Sequence, residues 1–196
     1  PIRDVLDFCE DTKDISEDPW FVIRAAMWAP MGSYNFLDYL LLSAPTVGEG
    51  MSQAFRLIHL IDTRMIMEFE DKPGAPVLVK LQGVQGGAVD SMEAEGIVTG
   101  CFRRASLCTN EQMTPEHVYF RAQACGDARE LESIYGAPVT FEAPFDGVLF
   151  SRELWEMPNT FNDPLMFNFM NQVVQRVAGP STGLIQQVER TIEQGL

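Results

Sequence analysis

Apolar residues in the first third of the chain have the spacing of helices. The segments Leu6 to Glu10 and Pro19 to Trp28 are helix candidates. In the second, Asp18 is the predicted capping residue and the proline occupies the first helical position. Pro30 and Gly32 end this pattern, because neither residue continues a helix well.

A further helix is predicted after Thr46, which forms a capping box with Glu49. Apolar residues then recur at intervals of four, four and three, as on one helix face: Val47, Met51, Phe55 and Ile58. The period changes to two over Arg64 to Glu70, and again over Val77 to Leu81 after the turn at Pro73-Gly74. These two segments predict an antiparallel hairpin.

The segment from Asp90 to Cys108 is predicted to be a core helix. It opens with an Asp-to-Glu capping box, and one stripe carries only small or apolar residues: Ala94, Val98, Cys101, Ala105 and Cys108. Pro115 to Gln123 then alternates as a strand does. Its apolar face has Val118, Phe120 and Ala122, and its polar, partly aromatic face has His117, Tyr119, Arg121 and Gln123.

Asp127 and the glutamate three residues later form another capping box, and Gly136 ends the helix that follows. Val139 to Phe141 alternates with polar residues and predicts a strand. The turn residues Pro144 to Gly147 then predict a chain reversal, with Val148 to Phe150 returning as the partner strand.

A last helix is predicted from Asp163-Pro164 to the stop at Gly179-Pro180. Its apolar stripe is Leu165, Phe169, Met170, Val173 and Val177. The predicted elements from residue 64 onward are strand, strand, helix, strand, helix, strand, strand, helix. This order predicts an α+β fold, in which an antiparallel or mixed sheet is packed with helices and the N- and C-terminal segments are helical.

Two blocks of sequence resemble a known family. Leu131 to Pro158 reads LESIYGAPVTFEAPFDGVLFSRELWEMP, and Leu37 to Ile61 reads LDYLLLSAPTVGEGMSQAFRLIHLI. Both blocks, in this order, resemble the N-terminal effector-binding domain of a large subgroup of AraC/XylS-type bacterial transcription regulators. The arabinose-sensing prototype of the wider family has a cupin-like barrel. Two strong helices between the predicted strands disfavour a plain barrel here.

The resemblance implies a division of the chain. Residues 1–179 would be the effector-binding, regulatory domain. Residues 180–196 would begin a linker to a C-terminal DNA-binding domain with two helix-turn-helix units, which the sequence lacks. In such regulators DNA is contacted through that second domain, so the present chain is expected to reach DNA only through it.

Composition and charge agree with this division. The chain has 14 basic and 28 acidic residues, a formal charge of −14, which opposes direct binding to a phosphate backbone. No apolar run approaches the roughly 20 residues of a membrane helix, so a cytoplasmic protein without membrane contact is expected. The four cysteines, Cys9, Cys101, Cys108 and Cys125, are widely spaced and are expected to be reduced.

Catalytic and metal-binding patterns are absent from the sequence. His59 and His117 are the only histidines, and they are too far apart in sequence to form an HxH or HxxxH pair of metal ligands. No serine lies in a GxSxG elbow, and the glycines of Gly83 to Gly87 lack the Lys-Ser/Thr ending of a phosphate loop. We therefore expect no enzyme, no cofactor and no metal. Cys101 and Cys108 are interpreted as buried small residues in preference to a redox sensor.

The abundance of flexible and aromatic apolar residues indicates an adaptable pocket. There are 13 Phe, ten Met, four Tyr and three Trp. Arg121 is the candidate for holding a carboxylate or hydroxyl of the ligand. The predicted pocket lining is Trp28, Met31, Tyr34, Phe36, Tyr39, Met67, Phe102, Tyr119 and Arg121. Packing in the core is the simpler interpretation of any one of these side chains.

The hypothesis is a sensor whose small, largely apolar effector changes how attached DNA-binding domains are presented. A homodimer is expected. The stripe of the last helix and the shorter repeat Leu184, Val188, Ile192 are candidate subunit contacts, with packing on their own domain as the alternative. Two other classes stay open, a ligand-free dimerisation or protein-interaction module and, less favoured, an enzyme or redox sensor.

Overall fold

A five-stranded mixed sheet is the centre of the fold in the part of the chain that can be described. The computed structural model describes residue 12 and residues 15–34, 36–60, 62–87, 89–109 and 113–177. The strands are β1 (Met65–Glu70), β2 (Val77–Gly83), β3 (His117–Tyr119), β4 (Val139–Thr140) and β5 (Asp146–Phe150), in the spatial order β1-β2-β5-β3-β4. β3 and β4 are parallel, and the other neighbours are antiparallel.

Helices pack on this sheet, which confirms the predicted α+β class. They are α1 (Phe21–Trp28), α2 (Phe36–Ser43), α3 (Val47–Phe55), α4 (Ser91–Leu107), α5 (Ala128–Tyr135), α6 (Arg152–Glu156) and α7 (Pro164–Val177). The predicted helix at Leu6 to Glu10, the repeat Leu184, Val188, Ile192 and the segment 180–196 lie outside the described residues. None of the described helices is long and apolar enough to cross a membrane.

The predicted caps hold the helix starts. The Thr46 side chain accepts a hydrogen bond from Glu49 N, and Asp127 accepts one from Arg129 N. Gly136 ends α5 in the left-handed region at φ 66°, where glycine has no steric penalty. Before α1, Asp18 Oδ1 accepts from Trp20 N at 2.9 Å, so the helix begins two residues after the predicted Pro19.

The hairpin of β1 and β2 is confirmed, with Met65 opposite Gly83 and Met67 opposite Leu81. In β2 the buried residues alternate with half-buried ones along the strand. This is the pattern of a strand with one face on the core. Its second neighbour is β5, so β2 is an inner strand.

The predicted hairpin of Val139–Phe141 with Val148–Phe150 is wrong. β4 has only two residues and pairs with β3 in parallel at the sheet edge, whereas β5 lies between β2 and β3. The physical reason is burial, because four of the five β5 residues are buried and such a strand is most stable inside the sheet. Local turn residues report a chain reversal but not which strands then pair.

The strand predicted over Pro115 to Gln123 is shorter than expected, because regular pairing covers only His117–Tyr119. After that point the backbone pairs irregularly. Phe120 N donates to Thr140 O at 2.9 Å and Ala143 N donates to Phe120 O at 3.0 Å. The side chain of Asp146 replaces a backbone acceptor there, since its Oδ1 accepts from Arg121 N at 2.8 Å.

Helix α4 is the central helix, as its capping box and apolar stripe predicted. Asp90 Oδ1 accepts from Met92 N at 2.9 Å, and Val98, Cys101 and Ala105 are buried. The helix contacts β5 and β2 on one side and α1 on another. It therefore joins the sheet to the N-terminal helices.

Helix α7 packs on α2 through a different face from the predicted stripe. Phe167 and Met170 are buried against Leu40 and Ala44, with Val174 packed beside them. These positions follow the spacing i, i+3, i+7 of one helix face. The predicted stripe is corrected accordingly, because Leu165 and Phe169 are 83% and 58% exposed, whereas Met170 is buried.

Substituting Gly48 tests the packing of α3 on α6. A Cβ at this position would lie 2.4 Å from Trp155 Nε1, so Gly48→Ala is expected to lower the free energy of unfolding by about 1–3 kcal/mol. Gly96→Ala is the matched control, since its Cβ would meet Val22 Cγ1 at an ordinary 3.4 Å and alanine favours a helix. Urea unfolding measures both, and equal losses would contradict this account.

Candidate functional site

A buried ion pair fixes the turn between α1 and α2. Arg104 Nε on α4 donates to Asp38 Oδ1 at 3.1 Å, and both residues are almost completely buried. The guanidinium also donates to Pro30 O at 3.2 Å, and Asp38 Oδ2 accepts from Gly32 N at 2.7 Å and from Tyr34 N at 3.1 Å. The charges and the turn backbone thus satisfy one another, which a buried pair requires.

Tyr34 closes this cluster over the cation. The Arg104 guanidinium carbon lies 4.3 Å from the centre of the Tyr34 ring, a cation–π distance. Burial raises the pKa of the Tyr34 hydroxyl, and the nearby Arg104 charge opposes the shift. A Cβ at Gly100 would lie 2.7 Å from the tyrosine oxygen, so glycine at this position of α4 lets the ring approach.

Beside this cluster lies an open cleft of about 500 Å³, which we call the α4–α5 cleft. Its walls come from α1, from the C-terminal half of α4, from the loop after α4 and from the end of α5. The lining residues are Met27, Phe102, Arg103, Ser106, Leu107, Thr109, Met113, Thr114, Ser133, Ile134, Tyr135, Gly136 and Phe161. A salt bridge from Arg24 Nη2 to Glu130 Oε2 at 3.1 Å joins α1 to α5.

The base of the cleft is rigidly held. The Phe102 and Tyr135 rings meet edge to face at 5.7 Å, and the Tyr135 hydroxyl lies 2.6 Å from Thr99 Oγ1. Burial raises the pKa of Tyr135, so this phenol stays neutral. Phe161, which is 52% exposed, also lines the cleft.

Arg103 is the charged residue of the cleft, and it differs from its neighbour Arg104. Its Nε is buried and has no hydrogen-bond partner in the described part of the chain. An unsatisfied buried donor of this kind is uncommon in folded proteins. The described lining of the cleft therefore contains a cation whose Nε donor has no partner among the described residues.

A second, smaller cavity of about 230 Å³ lies at the other end of the sheet. Its lining residues are Leu81, Gln82, Gly83, Gly86, Gly87, Val89, Arg121, Pro144, Phe145 and Asp146. Burial raises the pKa of the Asp146 carboxyl, and the hydrogen bond from Arg121 N opposes that shift. Positive and negative side chains thus share this cavity.

The structure distributes the nine predicted pocket residues among several places. Phe102 lines the α4–α5 cleft, and Arg121 lines the second cavity, where Tyr119 packs at 5.1 Å on Phe145. Tyr34 belongs to the Arg104 cluster. Met67 is buried in the sheet core, Trp28 and Tyr39 are 86% and 54% exposed, and Met31 and Phe36 are partly buried. One pocket does not contain them all.

Sequence reasoning did not single out Arg103. A signal was available, because the positions three and four residues away on either side are Thr99, Gly100, Ser106 and Leu107. A helical arginine without an acidic residue at these spacings lacks the usual local partner. The sequence contains no comparable signal for the cleft as a whole, because segments distant along the chain form its walls.

The cysteines of α4 do not have the environment of reactive thiols. Cys101 and Cys108 are buried and free, and burial raises the pKa of both, to about 12 for Cys108. The reactive form of cysteine is the thiolate, which this environment disfavours. Within the described ranges, no group of three or more His, Cys, Asp or Glu residues is placed to hold a metal ion.

Comparison with known proteins agrees with the fold. Residues 1–159 match the family described as the arabinose-binding domain of AraC transcription regulators, N-terminal. The chain belongs to this family, and its class is that of a regulatory ligand-binding domain of a transcription factor. No match is found among curated proteins.

One solved structure shares the fold. The crystal structure of the transcriptional regulator CdpR from Pseudomonas aeruginosa superimposes with a TM-score of 0.63 at 16% sequence identity. The match covers 78% of this chain and 50% of that one. The present chain thus spans about half the length of that regulator.

Breaking the Arg104–Asp38 pair tests its role. Arg104→Met leaves a buried carboxylate without its cation, and we expect the free energy of unfolding to fall by about 3–5 kcal/mol. In Arg104→Met/Asp38→Asn a neutral amide replaces the carboxylate, and its oxygen can still accept from Gly32 N, so the loss is expected to be well below the sum of the single losses. Urea unfolding measures each variant.

The matched control is Arg129→Met, because this side chain is 87% exposed in its pair with Asp127. A change within about 0.5 kcal/mol is expected there. Additive losses for Arg104→Met and Asp38→Asn would contradict the coupling of the two charges.

Proposed function

We propose that this domain senses a small, largely apolar effector that binds in the α4–α5 cleft and thereby controls an attached DNA-binding domain. The observation that carries the proposal is the cleft itself. Its volume of about 500 Å³ lies inside the range of roughly 300–1,000 Å³ typical of small-molecule sites. Family membership supports a ligand-binding regulatory role in general, and the cleft supplies a specific place for the ligand.

The chemistry of the cleft suits such a ligand. Apolar side chains from α1, α4, α5 and the loops after α4 and α6 line the cleft, and polar groups that include hydroxyls and one guanidinium contribute at least as much of its exposed surface. Thioethers such as Met27 and Met113 adapt their shape to a ligand more readily than branched side chains do. Such a lining offers apolar contact to the body of a ligand and polar groups that can orient it.

Helix α4 offers a route from the cleft to the rest of the domain. Phe102 and Arg103 line the cleft, and Arg104 on the same turn holds the segment between α1 and α2. An effector that binds one position of α4 better than another shifts the population toward that position. Because α2 carries α7, this shift changes the surface available to attached domains and subunits.

DNA contact is assigned to the attached domain. The formal charge of −14 opposes approach to a phosphate backbone by this chain alone. The role proposed here is therefore regulatory and not catalytic. The buried, protonated thiols give no support to redox sensing.

A thermal-shift screen with a filled-cleft variant tests the proposal. A ligand at about one hundred times its dissociation constant adds roughly 2.7 kcal/mol, or about 5–10 °C for a domain of this size. Ser133→Trp is expected to abolish this shift, because Ser133 is exposed on α5 and lines the cleft. Glu132→Trp, on the same helix but outside the lining, is expected to keep it.

The same screen distinguishes the two cavities. Arg121→Ala and Tyr119→Ala change the second cavity. Both residues belong to the predicted pocket lining. Ligand shifts lost in these variants and kept in Ser133→Trp would contradict binding in the α4–α5 cleft. Such a result would place the ligand site in the second cavity, which is lined by Arg121 and Phe145.

A dimerisation role is the second candidate, and α7 favours it. Phe167 and Met170 attach this helix to α2, while Leu165, Met166 and Phe169 are exposed on its other side. Apolar side chains gathered on an exposed helix face commonly mark interaction sites. We propose a homodimer that buries this face, either beside effector binding or as the main role of the domain.

Sedimentation equilibrium tests the dimer. Leu165→Ser/Phe169→Ser removes the exposed apolar groups without adding charge, and dissociation to monomers is expected at concentrations where the unaltered protein is dimeric. Ile66→Ser is the control, because this residue is also exposed, at 43%, but lies in β1. A strict monomer at high concentration would exclude the dimer for this chain.

A further inference from the structure

Resting on the proposed function, we infer that the effector is a monocarboxylic acid with an apolar body, and that Arg103 binds its carboxylate. Among its described lining residues, the α4–α5 cleft has one cationic residue and no aspartate or glutamate. This composition is unusual in a chain with twice as many acidic as basic residues. Arg103 is thus the charged side chain in the described lining of the cleft.

The two adjacent arginines of α4 differ in their hydrogen-bond partners. Arg104 has a carboxylate, two backbone carbonyls and an aromatic ring as partners. Arg103 has a buried Nε without a hydrogen-bond partner in the described part of the chain. A guanidinium stays protonated in proteins, so Arg103 brings a full charge to the cleft wall.

A carboxylate is the ligand group that completes this arrangement. It accepts two parallel hydrogen bonds from a guanidinium, and such charge-assisted pairs are stronger than neutral hydrogen bonds. The guanidinium of Arg103 lines the cleft, and its terminal N–H groups can donate to such a carboxylate. The hydroxyl group of Ser133 also lines the cleft and can donate to the ligand.

A single negative charge fits better than the double charge of a phosphate. The lining has one arginine and no second cation among the described residues. The remaining walls, with Met27, Phe102 and Ile134, call for an aliphatic or aromatic body.

The second cavity provides an internal comparison. There Arg121 shares the lining with Asp146, whose Oδ1 already accepts from the arginine backbone. Arginine and carboxylate together give that cavity no preference for an anion. Selectivity for acids is therefore expected only at the α4–α5 cleft.

Matched pairs of acids and amides test the inference by isothermal titration calorimetry. The probes are octanoate with octanamide and phenylacetate with phenylacetamide, which differ in charge but hardly in shape. We expect the acid of at least one pair to bind the unaltered protein at least about tenfold more tightly than its amide. This comparison needs no variant, so it does not depend on the folding of a mutant.

Variants then assign the preference to Arg103. Arg103→Gln is expected to weaken acid binding about 10- to 100-fold and to leave amide binding nearly unchanged, so that the preference disappears. Arg103→Lys is expected to be intermediate, because it keeps the charge but loses the fork geometry. Arg129→Gln, at an exposed α5 position, is the control and is expected to bind as the unaltered protein does.

The outcomes separate this inference from the proposed function. Equal affinity for acid and amide, or an acid preference that survives Arg103→Gln, would overturn the assignment of a carboxylate to Arg103. A neutral or cationic ligand whose binding is lost in Ser133→Trp would also overturn it, while the proposed sensing role would stand. If no probe binds and no ligand in a broad screen shifts the melting temperature, both fail together.

Discussion

The buried pair of Arg104 and Asp38 is the interaction on which the arrangement of the helices depends. It joins the central helix α4 directly to Asp38 of α2, and the same two side chains hold the backbone of Pro30 and Gly32 in the turn before α2. α2 in turn carries α7 through the cluster of Leu40 with Phe167 and Met170. Removing either charge leaves the other buried, which is far less stable than an exposed ion, so the cluster has one strongly preferred geometry.

Arg103 and Arg104 lie on the same turn of α4 but have different environments. Two consecutive arginines point to different surroundings, because successive side chains on a helix are separated by about 100°. One is used fully by the fold, and the other lines a cleft with a buried Nε that has no partner among the described residues. A ligand that engages Arg103 thereby acts on the element that positions Arg104. In the proposed mechanism, a small displacement of α4 would couple the ligand site to the surface of α7.

Local sequence signals predicted much of the fold, and long-range packing explains where they failed. Asp90 and Thr46 cap their helices as the spacing indicated, and the hairpin of β1 and β2 follows from alternation around one turn. The insertion of β5 between β2 and β3 was not predicted. Strand pairing depends on which strand buries the most surface, and not on which strand follows the nearest turn. The cleft was missed for a related reason. Its walls come from segments spread along the chain between Met27 and Phe161. The periodicity of one segment does not indicate which other segment it contacts in the fold.

The most direct test of the account is a methyl NMR titration of methionine-labelled protein with octanoate. Met27 and Met113 line the α4–α5 cleft, whereas Met65 and Met67 are buried in the sheet. Resonances are assigned by single Met→Leu substitutions. The account predicts saturable shifts of the Met27 and Met113 methyl signals, with those of Met65 and Met67 nearly unchanged. Saturable shifts confined to Met65 and Met67, or no shifts at saturating acid, would contradict binding of the effector in the cleft.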